Sequence, residues 1–155
     1  MKRIGIYVLV AAIPALGACG SNFSVEPPRN FVHLEDESSQ YDFRASTADG
    51  VVFAVREVEN ERGGTLEFWA TAIKNRLRLN GGYALVDERE VRVGSGHTGL
   101  QLRFGRDQRG TAFRYWLSVF VTEDHVHLVE VGGREEVFQD AEESVAAAIA
   151  AIEIH

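Results

Sequence analysis

Two histidines one residue apart, His125 and His127, are the side chains of this chain best spaced for chemistry. In an extended strand, positions i and i+2 share a face, so the two imidazoles can reach one metal ion. Glu123 and Asp124 stand beside them at a turn signal, and His33 or His97 is a possible ligand from elsewhere in the chain. Zinc takes three or four protein ligands, and the spacing brings only two together. The competing reading is a pair of solvated histidines opening a surface strand. A second candidate is the loop Gly94-Ser95-Gly96-His97-Thr98-Gly99. Loops of this kind can turn backbone N–H groups toward phosphate or carboxylate. This one lies between strand patterns and lacks a following Lys-Ser or Lys-Thr, so a mobile hairpin loop is the better reading. Ser95 and His97 have no identifiable acid to orient the imidazole and no elbow to expose the hydroxyl. No catalytic residue is assigned, and the pattern implies no cofactor.

Two further groups bear on binding rather than catalysis. Trp69, Tyr83, Phe113, Tyr115, Trp116 and Phe120 either line a pocket for an apolar small ligand between helix and sheet or simply build the core. Glu57, Glu59 and Glu61, followed by Arg62, make a charged rim after a strand. A solvated loop explains them; as a binding surface the rim would prefer a basic partner.

The elements that must position these groups read as strands with two helices. Phe31–Leu34 is an expected edge strand, and Tyr41–Ala45 and Val51–Val58 flank the turn Ala48-Asp49-Gly50. Thr65 caps a helix whose apolar residues Leu66, Trp69, Ile73 and Leu77 fall at helical spacing, ended by Asn80-Gly81-Gly82. Strands follow at Tyr83–Val86, Glu90–Val93, Gly99–Phe104, Ala112–Thr122 and Val126–Val131. The fourth is apolar on both faces, as a central strand covered on both sides must be. A last helix is expected over Ala141–Ile152, with Asp140, Glu142 and Glu143 in its first turns. Together these make an α+β domain, a mostly antiparallel sheet with helices packed on it.

The start of the chain speaks of location. Lys2 and Arg3, the apolar run Ile4–Leu16 and the ending Leu16-Gly17-Ala18-Cys19 have the layout of a secretory signal. The run is too short to span a bilayer as a stable helix. The ending resembles the lipobox of bacterial lipoproteins, which implies that residues 1–18 are removed and that Cys19 becomes the lipidated first residue. Cys19 is the only cysteine, so its acylation leaves no disulfide to support the fold. Residues 19–30, with Pro27-Pro28, read as lipidated cysteine and extended tether, and residues 31–155 as the globular domain.

Without Lys2 and Arg3, fourteen basic residues face twenty-three acidic ones, a formal charge of −9. That argues against nucleic acid and against electrostatic docking to anionic lipid; membrane contact should come through the lipid on Cys19. Gly20, where an aspartate would mark inner-membrane retention, favours the outer membrane, on its periplasmic face.

The order of elements also resembles the Mog1/PsbP-type fold, which includes DcrB-like lipoproteins. The resemblance rests on the hairpin, the helix ending at Gly81-Gly82, the strand Gly99–Phe104, the aromatic strand Phe113–Phe120, Val126–Val131 and the final helix. It implies an α/β/α sandwich and a non-enzymatic binding or assembly role beside an envelope protein partner. The family shares no catalytic motif, so the resemblance carries over no catalytic residue.

Overall fold

The computed structural model describes residues 20–35 and 40–155. Cys19 and the expected leader lie outside the described residues. The described chain forms nine strands and two helices: β1 (Phe23–Ser24), β2 (Val32–His33), β3 (Phe43–Ser46), β4 (Val52–Glu59), α1 (Leu66–Asn80), β5 (Ala84–Arg92), β6 (Thr98–Gln108), β7 (Thr111–Val121), β8 (His125–Arg134), α2 (Glu135–Ala150) and β9 (Glu153–Ile154). Seven strands form one sheet in the order β2-β3-β4-β8-β7-β6-β5, and every pairing in it is antiparallel. β1 and β9 pair separately, Phe23 opposite Ile154.

Strand alternation decides which helix goes where. On β7, Leu117 and Val119 face one side with Val126 and Leu128 of β8, and α1 covers them through Leu66, Trp69, Ile73 and Leu77. Trp116 and Phe120 face the other side with Val129 and Val131, where α2 supplies Phe138, Ala141, Val145 and Ile149. The two-faced apolar pattern of β7 therefore demands a helix on each side, and an α/β/α sandwich results. Gly99 is required by close approach: a Cβ there would lie 2.3 Å from the Val119 carbonyl oxygen and 2.5 Å from Phe120 Cδ1.

Helix α1 starts where expected, the Thr65 hydroxyl accepting the Phe68 N–H at 3.2 Å. Three expectations need correction. Helix α2 begins at Glu135, six residues before Ala141, because Phe138 extends the buried stripe by a turn; the acidic residues of its first turn are Glu135 and Glu136. The expected pair of strands around Asp87–Arg89 is one edge strand, β5, with an irregularity between Leu85 and Asp87. Its outer edge faces water, so charges there do not break it.

The third correction concerns the tether. Within residues 20–30, Phe23–Ser24 forms β1 and Phe23 is buried in the α2-side core, where Val25 and the following Phe31 also pack. Burial of these apolar side chains docks the extended segment on the core. The strap is closed by the other terminus, where the His155 N–H donates to the Asn22 carbonyl at 2.9 Å.

Truncating Phe138, fully buried under Trp116, to alanine should cost about 3–5 kcal/mol in urea unfolding. Leu79→Ala, at a residue 82 % exposed, should stay within about 0.5 kcal/mol. Equal losses would mean that α2 does not pack as described.

Candidate functional site

The alternation of β8 does put His125 and His127 on one face, and that face is the α2 side of the sheet. The register sets Glu57 of β4 opposite His127 and Glu59 opposite His125. Glu57 bends between the imidazoles: its Oε2 lies 3.4 Å from His127 Nδ1 and its Oε1 3.8 Å from His125 Nε2. The strap closes this corner. Asn22 donates to Glu57 through its backbone N–H at 3.2 Å and its Nδ2 at 3.0 Å, and its Nδ2 lies 3.3 Å from His125 Nε2. The Phe23 ring stands edge-on to His127 with centroids 6.0 Å apart.

His127 is consequently 1 % exposed, not solvated, and neither ring nitrogen has a hydrogen-bond partner. Burial holds its pKa below the usual 6.5, against the opposing pull of Glu57. The other expected ligands lie elsewhere. His33 stacks on Phe43 at 4.9 Å, and His97 Nδ1 sits 3.0 Å from the Ser95 hydroxyl. Glu123 and Asp124 are exposed in the turn before β8. Among the described residues, no group of three or more His, Cys, Asp or Glu side chains is arranged to hold a metal ion.

The glycine-rich loop has a structural job. Ser95 Oγ accepts the Ile154 N–H at 3.0 Å, and the Gly94 N–H donates to the Ile152 carbonyl at 2.9 Å. The loop is thus tied to the segment that holds β9, and its hydroxyl is already engaged. The aromatic set divides between core and surface. Trp116 and Phe120 are buried on the α2 side, and Trp69 packs from α1 onto the other face of the sheet. Tyr83, Phe113 and Tyr115 border a hollow of about 260 Å³, smaller than most small-molecule sites.

Sequence reasoning missed one polar cluster on the α1 side. Where α1 stops covering the sheet, Glu130 does so instead, accepting from Arg56 at 2.8 Å, from the Tyr115 hydroxyl at 2.8 Å and from the Tyr41 hydroxyl at 3.3 Å. Burial and the adjacent carboxylate hold the Tyr115 hydroxyl protonated, far above its ordinary range. A glutamate inside the apolar run Val126–Val131 was the available signal. A charge there must be paired to be buried.

The depressed His127 pKa has a consequence for stability. The folded state favours neutral imidazole, so the contribution is complete above about pH 6.5. Below that the unfolded chain takes up a proton that the folded chain resists, and stability falls. Urea midpoints should drop between about pH 7.5 and 5, and His127→Leu should flatten that slope. An unchanged slope in the variant would assign it to other groups.

No family model matches this chain, and no curated protein matches it in sequence. Solved structures do match in shape. LpqN, involved in cell envelope biogenesis of Mycobacterium tuberculosis, superposes with a TM-score of 0.66 at 14% identity, over 88% of this chain and 87% of its own. Cyanobacterial PsbP from Synechocystis gives 0.66 at 12% identity, over 94% and 99%. A protein of unknown function from Pseudomonas aeruginosa gives 0.55 at 14% identity, over 96% and 95%. Identities this low speak to fold alone, and the fold they show is the PsbP/Mog1-like α/β/α sandwich.

Proposed function

We propose that the chain is a lipid-anchored protein of the bacterial cell envelope that works without catalysis, as a binding or assembly factor. The observation that carries this reading is the Leu16-Gly17-Ala18-Cys19 ending, set three residues before Asn22, whose backbone and side chain are fixed to Glu57. Lipid on Cys19 would hold the domain by its strap. Only Gly20 and Ser21 separate the lipid site from Asn22, so the domain would ride close to the bilayer instead of swinging on a long tether. Such confinement raises the effective concentration of weak contacts.

Supporting features agree with this reading. The fold is shared with LpqN, itself described as involved in envelope biogenesis. Among the described residues, no helix is long and apolar enough to cross a membrane. Two acyl chains suffice for stable anchoring without one. Gly20 after Cys19, where an aspartate would mark inner-membrane retention, supports the periplasmic face of the outer membrane as the site of anchoring.

Cell fractionation with labelled palmitate tests the anchor. The native chain should carry label and sediment with membranes; Cys19→Ser should carry none and leave the membrane fraction. Membrane association and label persisting in Cys19→Ser would overturn the lipid assignment.

A further inference from the structure

We propose that the hollow beside the N-terminal turn of α1 docks a basic polypeptide segment, one that carries arginine or lysine next to apolar side chains. This deepens the binding-factor reading above and rests on it. The hollow measures about 640 Å³ and is bordered by Phe68 and Trp69 together with Glu59, Glu61 and Arg62. Phe68 is 61 % exposed although it is a large ring, and it meets Trp69 edge to face with centroids 5.7 Å apart.

The aromatic shelf is rigid. The Trp69 indole N–H donates to Asn60 Oδ1 at 3.0 Å. Asn60 is buried and fixed in turn, its Nδ2 donating to the Gly64 and Thr122 carbonyls at 3.1 Å each. Gly64 lets the indole pack close to the backbone, since a Cβ there would lie 2.5 Å from Trp69 Nε1. Phe68 is therefore held out toward water on a fixed base, and covering it would be favourable.

Charge selects what covers it. A neighbouring hollow of about 430 Å³ shares Glu59 and Glu61 and adds Glu123 and Asp124. Arg62 borders the first hollow and His125 the second, so the two together hold four carboxylates, one guanidinium and one imidazole. Among the described residues none of the four is in an ion pair, whereas Glu57 accepts from the Asn22 backbone and side chain. A cationic side chain laid here meets carboxylates and aromatic faces, both of which attract it. A neutral or acidic partner would leave the carboxylates to lose water without compensation. Cation beside apolar group is the combination that satisfies both surfaces.

The test uses the full chain in a neutral sugar detergent, labelled with nitrogen-15, and reads its two indole N–H signals. Trp116 is buried under the Arg103 guanidinium, 3.6 Å away on the opposite face of the sheet, and serves as the internal control. The probe is a six-residue peptide alternating arginine and leucine; a peptide alternating glutamate and leucine is its counterpart. The arginine peptide should shift Trp69 saturably and leave Trp116 in place. Phe68→Ser, and separately Glu59→Lys with Glu61→Lys, should each weaken binding about tenfold or more. Salt should weaken it as well. An unmoved Trp69, an equal response to the glutamate peptide, or binding that survives both variants would overturn the groove. So would a Trp69 shift produced by phosphocholine vesicles and not displaced by the peptide. The Cys19→Ser chain should bind alike, so loss of peptide binding in both forms rejects the groove while fractionation alone judges the anchor.

Discussion

Two neighbouring strands, β7 and β8, are apolar on both faces, and the molecule is arranged around hiding both. Leu117, Val119, Val126 and Leu128 on one side and Trp116, Phe120, Val129 and Val131 on the other cannot be covered by one layer. Helix α1 answers one face and α2 the other. Where neither helix reaches, polar side chains complete the cover. Glu130 with Arg56 and Tyr115 does this on the α1 side, and Arg103 laid over Trp116 at 3.6 Å does it on the α2 side. With no disulfide available among residues holding a single cysteine, burial has to supply the stability.

The same constraint explains the strap. The α2-side core runs past the end of α2, where Phe23 finishes it together with Ile152 and Ile154, while Phe31 packs on Phe53 beside the first half of the helix. Closing the core this way seals His127 and fixes Asn22 on Glu57. The segment from Asn22 onward is thereby part of the fold, and the lipid proposed for Cys19 would act on the domain through it. The strap, the histidine corner and the acidic rim gather at one end of the β4–β8 pair, as the opposed residues Glu57 and His127, and Glu59 and His125, show.

Much of this was legible in the sequence, for local reasons. Thr65, the spacing of Leu66, Trp69, Ile73 and Leu77, and Gly81 specify α1 without help from distant residues. The alternation of Phe113–Val121 revealed a two-faced strand, and the i, i+2 histidines were rightly set on one face. What escaped was non-local. Burial of His127 depends on Phe23, whose strand partner Ile154 lies at the far end of the chain. The carboxylate brought to the histidines is Glu57, from a strand that only the sheet order places beside β8; the adjacent Glu123 and Asp124 stay in the exposed turn. Glu130 and its three partners come from different strands and the segment before β3, so no spacing rule announces them.

The central claim is that this domain is held at a membrane through Cys19, by a strap that belongs to its own core. Intact and peptide-level mass spectrometry of the full chain, purified from bacterial envelopes, tests it most directly. The account predicts a mature protein whose first residue is Cys19, carrying the mass of a diacylglyceryl group or more. A chain that retains residues 1–18, or one that begins after Cys19 with no lipid mass, would contradict it.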